Sequence, residues 1–256
     1  MYFLTRNSIE KCSEWLSEAV TSGAAVLIDK DKNWTSFDVI AKLRRLTGIR
    51  KIGHTGTLDP LATGLLIVCA GKATKEIDKF KYDFKTYQAT IKIGVTTKSY
   101  DGETEEIILG SDNWESVNSS PGGTFTKIED LSDEIITKII LSFKGFSAQE
   151  PPLYSAKKIK GVPAYKLARK DKQIKLEPKQ IEISEIQIKS IEIPFISFKI
   201  VCSAGTYIRA LARDIGIKLG CGAYLYELRR TAIGNYQLED ALTIDELKYK
   251  FEDLRK

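Results

Sequence analysis

The stretch from Lys51 to Gly64, Lys-Ile-Gly-His-Thr-Gly-Thr-Leu-Asp-Pro-Leu-Ala-Thr-Gly, does most to limit what this chain can fold into. Its glycines and its proline exclude a regular helix, so it reads as a loop held in a special backbone shape. The apolar run Leu65 to Ala70 that follows reads as a buried strand. The loop holds the chain's only histidine, His54, and also Asp59, the only carboxylate between Asp38 and Glu76. A lone acid at a fixed loop position beside buried structure suits catalysis. Asp-Pro before small residues is also an ordinary turn or helix cap, the commoner fate of a loop Asp. Residue chemistry alone leaves both readings open.

The rest of the composition sets bounds. With 256 residues, 43% hydrophobic and 29% charged, the chain can bury a substantial core as one large domain or two small ones. A net charge of +5 permits a nucleic-acid partner without demanding one. Cys12, Cys69, Cys202 and Cys221 lack metal-ligand spacing, and a Cys/His zinc site is not expected from a chain with one histidine. They are expected as reduced, mostly buried thiols. No run approaches the ~20 apolar residues of a membrane span, and no apolar leader segment opens the chain. The expected location is cytoplasmic, with no membrane partner.

Periodicity predicts helices over residues 8–20, from Thr35 or Ser36 onward, over 73–81 and over 132–143, the last with Ser132 as N-cap. Strands are expected over 24–29, 86–93, 181–186 and 191–201, with Pro194 marking an edge or bulge in the last. Ser203 or Thr206 is expected to cap a helix to about Leu219, and Thr243–Glu246 to form a capping box opening a helix to about Phe251. Residues 110–123 read as a surface loop or linker. Lys42, Arg44, Arg45, Arg50 and Lys51 make a basic exit from the second helix, either a solvated face or a phosphate contact. Gln149 to Gly161 is either a flexible loop or a basic, aromatic-containing loop that closes over nucleic acid. Tyr87, on a predicted strand, is either a cross-strand aromatic or a stacking platform. Arg209 falls in the first turn of its helix, the wrong end for a cation to complement the dipole. That placement suits either a carboxylate or phosphate partner or a plain surface Arg.

Four segments resemble the motifs of the TruB family of tRNA pseudouridine synthases. Gly53 to Gly64, followed by Gly71-Lys72-Ala73-Thr74 for the family's Gly-x-Ala-Thr, in which Lys72 stands at the unspecified position, resembles the family's catalytic motif almost residue for residue. Lys85-Thr86-Tyr87 matches a Lys-x-Tyr pattern. Gln149 to Lys158, then Gly161, Tyr165, Ala168 and Arg169, resembles a second motif. Gly205-Thr206-Tyr207-Ile208-Arg209 and Gly222 to Arg230 resemble a third, with Tyr224 where the family has His. The family's Asp-Lys-Pro-x-Gly-x-Thr-Ser is Asp29 to Ser36 here, with Asp31 for Pro and Asn33 for Gly, a turn that Asn can sustain because it tolerates positive φ. The family's Thr-Asp-Thr is Thr97-Lys98-Ser99, then Asp101-Gly102, a departure expected to touch a turn rather than catalysis.

The resemblance covers residues 24–236. It implies a pseudouridine synthase fold, α/β (α+β), with a mixed, largely antiparallel central sheet, flanking helices and a mobile RNA-gripping insertion at about 146–180. It implies a helical extension over 1–23, a catalytic domain over 24–236 and a short tail over 237–256 without the PUA-type RNA-binding domain of many relatives. The implied activity is isomerisation of uridine 55 in the tRNA T-loop, by a monomer, without cofactor or metal. Asp59 is the implied nucleophile or base, Arg209 its charge partner, and Tyr87 stacks on the target base. Substrate binding falls to His54, Thr57, Leu228, Tyr207, Lys30, Lys157 and Arg230, with Lys158, Arg44 and Arg45 as phosphate contacts. Leu228 walls the pocket. His54 either fills the space left by the flipped uridine or is a structural residue. Another RNA target, or an RNA-folding chaperone on the same scaffold, remains the alternative. A metal-dependent nucleotide hydrolase lacks carboxylates near Asp59.

Overall fold

The structure is a computed structural model that describes residues 1–80, 83–114, 124–153 and 176–254, and the backbone alone at 158–159 and 162–163. The chain forms two compact units. One comprises Met1–Tyr87 and Leu228–Lys256, the other Gln88–Glu227. Both are mixed α/β, and antiparallel strand pairs outnumber parallel ones among the described strands.

The first unit is built on β2 (Ala24–Lys30), which pairs antiparallel with β4 (Thr63–Ala70). β1 (Tyr2–Leu4) adds parallel to β2, and β3 (Ile52–His54) adds antiparallel to β4. The last part of β13 (Ala223–Ile233) lies parallel to β4 through Arg229 and Arg230 and pairs with β14 (Tyr236–Gln237). β2 and β4 are continuous apolar runs because both of their faces are buried. Val26, Ile28, Leu66 and Val68 face a core with Trp15, Val39, Ile40, Leu43, Leu247 and Phe251. Ala25, Leu27, Leu65 and Ile67 face another with Phe80 and Ile233. The helices of this unit are α1 (Cys12–Thr21), α2 (Ser36–Thr47) and α5 (Ile244–Asp253). Thr35 caps α2, and the Thr243–Glu246 capping box opens α5 as its sequence requires.

The second unit carries the remainder of β5 (Lys85–Ile93) beside β12 (Phe195–Cys202), then β11 (Lys179–Glu192) and β8 (Gly145–Gln149). Its helices are α3 (Asp133–Leu141), capped by Ser132, and α4 (Ile208–Leu219). A hairpin of β6 (Val95–Thr97) and β7 (Glu106–Ile108) completes the unit with a two-stranded β9 (Lys158–Ile159) and β10 (Val162–Pro163).

Some local expectations differ from the structure. Residues 71–80 are 3-10 turns, with Gly71 at φ +62°, where a Cβ would meet the Ala19 carbonyl oxygen at 1.9 Å. The N-terminal segment includes β1 and a 3-10 stretch Arg6–Lys11 ahead of α1. Pro194 sits in the turn between β11 and β12, since it has no N–H to give to a ladder, and the irregular register lies on β11. Neither Ser203 nor Thr206 caps α4. Ser203 Oγ accepts from the Glu182 amide and Thr206 Oγ1 donates to the Ser203 carbonyl, leaving Tyr207 at the N-cap. In the loop from 110, Trp114 is buried, and residues 115–123 lie outside the described part. The four cysteines are free and buried. Among the described residues no helix is long and apolar enough to cross a membrane.

Candidate active site

In the first unit, the segment from Thr55 to Ala62 leaves β3 and enters β4, and Asp59 stands half-buried at its bend. Each neighbour of Asp59 is tied down. The Leu58 amide donates to Ser36 Oγ at 2.9 Å, and Ser36 Oγ donates back to the Leu58 carbonyl at 3.2 Å. The Pro60 carbonyl accepts from the Asn33 amide at 2.8 Å, and the Ala62 amide reaches the Asp59 carbonyl at 3.0 Å. Asn33 has φ +67°, the conformation that an Asn standing in place of Gly must sustain there. Such bracing fixes a side chain before any substrate arrives.

Two buried cations complete the loop. Lys30 is fully buried, and its ammonium donates to the carbonyls of Asp31 (2.9 Å), Trp34 (2.6 Å) and Pro60 (3.5 Å). Burial brings its pKa down to about 8 against the opposing pull of Asp31 and Asp59, and Arg230 lowers it further. Arg230, 1% exposed, donates Nε–H to the Leu65 carbonyl (2.7 Å) and Nη2–H to that of Gly56 (3.1 Å), joining the two sides of the loop. Gly64 lies at φ +102°, where a Cβ would come within 2.3 Å of the Arg230 carbonyl oxygen, so this loop position accepts no side chain. His54 is half-buried. Burial, then the charge of Arg230, pushes its imidazole below the usual range, which keeps it neutral at pH 7. Thr57 is exposed, whereas Tyr87 on β5 and Leu228 on β13 are buried in the same unit. Arg44 donates to the Ile52 carbonyl at 3.1 Å with its guanidinium beside the exposed Phe37 ring, and Arg45 is exposed.

In the second unit, Arg209 is buried in the first turn of α4 and has a carboxylate partner, as its position suggests. Its Nη1 lies 3.3 Å from Asp101 Oδ2 and donates to the Ser99 carbonyl at 3.2 Å. Asp101 Oδ1 accepts from Ser99 Oγ and from the Glu103 amide. The Thr97–Asp101 turn thus holds the arginine. Tyr207 is half-buried, its amide and carbonyl paired with the Gln149 side chain at 2.8 and 3.1 Å. Tyr224, where the resemblance has His, donates to Glu106 at 2.6 Å, and burial raises its phenol well above the usual range. Lys157 and most of the 146–180 insertion lie outside the described residues, and Lys158 is described by backbone alone.

Sequence reasoning gave Ser36 only a capping role, and it gave Asp101, Gln149 and Arg229 no role of their own, the last two only a place in a motif. Arg229 pairs with Asp29 at 2.7 Å and donates to Thr63 of the motif at 3.1 Å. The adjacency of Arg229 to Arg230 in a strand was the available signal. Asp101 had none.

The fold is that of the pseudouridine synthases. It matches the structure described as "Crystal Structure of a Cbf5-Nop10-Gar1 Complex" at TM-score 0.69 and 26% identity, covering 94% of this chain and 58% of that one. The family model "TruB family pseudouridylate synthase (N terminal domain)" matches residues 44–208, and "tRNA pseudouridylate synthase B C-terminal domain" matches 209–255. This chain belongs to the TruB family of pseudouridylate synthases. Similar curated proteins include the tRNA pseudouridine synthase B of Parabacteroides distasonis, 42% identical over 88% of this chain and 92% of its own length. That of Clostridium novyi is 43% identical over 83% of this chain and 68% of its own.

Proposed function

We propose that this protein converts uridine 55 in the T-loop of tRNA to pseudouridine in the cytoplasm, with Asp59 as the catalytic carboxylate. The observation that carries the reading is the bracing of Asp59, a half-exposed carboxylate whose neighbours Leu58 and Pro60 are locked by hydrogen bonds. The relatives named tRNA pseudouridine synthase B support tRNA as the substrate. The reaction breaks the N1–C1′ bond, turns the uracil and joins C1′ to C5. N1 gains a proton and the C5 hydrogen leaves to solvent. Asp59 acts as nucleophile on C1′ or C6, or as the base that starts glycal formation. Arg209 is the charge partner that the resemblance implies for it. Tyr87 stacks on the flipped base, Leu228 walls the pocket, and neutral His54 takes the place the base vacates. Thr57 and Tyr207 contact the nucleotide from the loop and from the α4 N-terminus, and Lys157 contacts a phosphate. Lys30 and Arg230, fully enclosed, serve substrate binding by holding the loop.

The test is tritium release from tRNA labelled at uridine C5. Wild type releases tritium, and Asp59→Asn binds tRNA equally but releases none. Release that persists on tRNA with an altered T-loop assigns another uridine or RNA. Binding without release by wild type assigns a chaperone in place of an enzyme.

A further inference from the structure

The first unit contains a cavity of about 930 Å³ that the catalytic reading does not use. It is lined by β1, the turn at Ser22–Gly23, the 71–80 segment, Asp83 and the β13–β14 turn. Its size falls within the range of small-ligand sites, roughly 300–1,000 Å³. The Asp59 loop enters β4 at Thr63, whereas the cavity adjoins Lys72 and Ala73, just beyond Ala70 at the other end of that strand. At about 3.3 Å per residue, β4 sets the two roughly 25 Å apart.

Two chemistries meet in the cavity. One wall is aromatic: Phe3 and Tyr236 stack at 4.9 Å and 27°, and Phe80 tilts against both at 6.4 and 5.7 Å. The rim carries Lys72, Lys75 and Lys79, all exposed, with Glu76 and Asp83 half-buried among them. Glu76 is paired with Lys79, which leaves the Lys72 and Lys75 ammoniums on the rim without an ion pair among the described residues. Aromatic walls accept a flat base at any sequence, while lysines on flexible stems act as point charges for phosphate. The lining lysines Lys72, Lys75 and Lys79 outnumber the carboxylates Glu76 and Asp83, so the rim favours an anion. The carboxylates can accept from ribose hydroxyls or exocyclic amines.

We propose that this cavity is a second nucleotide site, in which an unpaired nucleotide lays its base against Phe3 and Tyr236 and its phosphate against Lys72 and Lys75. The site is independent of which uridine the Asp59 loop addresses. An RNA segment and a free nucleoside monophosphate share the chemistry, and the experiment separates them.

Fluorescence anisotropy of a labelled single-stranded hexanucleotide and saturation-transfer NMR with uridine 5′-monophosphate are measured on wild type, Lys72→Glu/Lys75→Glu and a control, Lys11→Glu/Lys248→Glu. The control makes the same charge change at exposed lysines elsewhere in the unit. The double reversal at the rim is expected to weaken hexanucleotide binding about tenfold and to flatten its salt slope by one to two contacts, with the control near wild type. Loss of the mononucleotide signal alone assigns the site to the free nucleotide. Inorganic phosphate at the same concentration should not displace either probe, because the aromatic wall supplies part of the binding. Unchanged binding of both probes in the rim variant, or an equal loss in the control, overturns the proposal. Tritium release, lost in Asp59→Asn and retained at saturating tRNA in the rim variant, keeps the two sites separate.

Discussion

Around Asp59 the supports are many and mostly neutral: a serine hydroxyl, two backbone amides, and carbonyls gathered by Lys30 and Arg230. Around Arg209 the supports within its own unit include a buried carboxylate, Asp101, which is 1% exposed. A set of parallel hydrogen bonds loses strength piecemeal, each worth about 0.5–1.5 kcal/mol. A buried ion pair fails at once, because removing one partner strands the other charge. The loop is therefore tolerant of single losses and the arginine is not.

The sharpest way to break this contrast is Asp101→Ala. It should lower stability by about 3–5 kcal/mol in urea unfolding, more than any single change among the loop's hydrogen bonds. Replacing both partners, Asp101→Leu with Arg209→Met, should return stability to within about 1–2 kcal/mol of wild type while tritium release stays lost. Recovery of both would show that Arg209 serves packing alone.

Gly64→Ala comes next. A Cβ at 2.3 Å from the Arg230 carbonyl, on a residue at φ +102°, should cost about 1–3 kcal/mol and reduce turnover, because the loop must shift to make room. Ser36→Ala removes both bonds to Leu58 and should cost about 1–3 kcal/mol, with kcat falling more than KM. A loss as steep as that of Asp101→Ala would sink the contrast.

The most gradual effect is a pH dependence at Lys30. Its pKa in the folded protein, about 8, lies below the ordinary 10.5, so between these values the unfolded chain binds more protons. Its contribution to stability should therefore rise with pH across that window, by at most about 1.4 kcal/mol per unit. The difference in unfolding free energy between wild type and Lys30→Met, followed from pH 7 to 10, isolates it. A difference that stays flat or falls contradicts the burial of this charge.

The parts legible in the sequence were those set by neighbours along the chain. β2 and β4 showed as apolar runs, and Thr35, Ser132 and Thr243 announced helix starts because a cap and its helix share a few residues. The Asp59 loop stood out through glycine, proline and one acid. What stayed hidden depends on residues far apart. The hydroxyl of Ser36 meets Leu58 across 22 positions, and Arg209 meets Ser99 across 110. No periodicity records such a meeting. Ser203 and Thr206 misled for the same reason, since tertiary partners took their hydroxyls.

The clamp by Arg230 also has a consequence in time. The unit that carries Asp59 is closed by residues 228–256, which leave the ribosome after the Asp59 loop and the whole second unit. Leu242 exchanges backbone hydrogen bonds with Leu27 and Asp29, and Arg230 ties Gly56 to Leu65, so a nascent chain halted before these residues holds the Asp59 loop without its fastenings. Competence would then arrive only once residues 228–256 have joined the unit, and a chain still lacking them would emerge inert toward the RNA that crowds the site of its own synthesis.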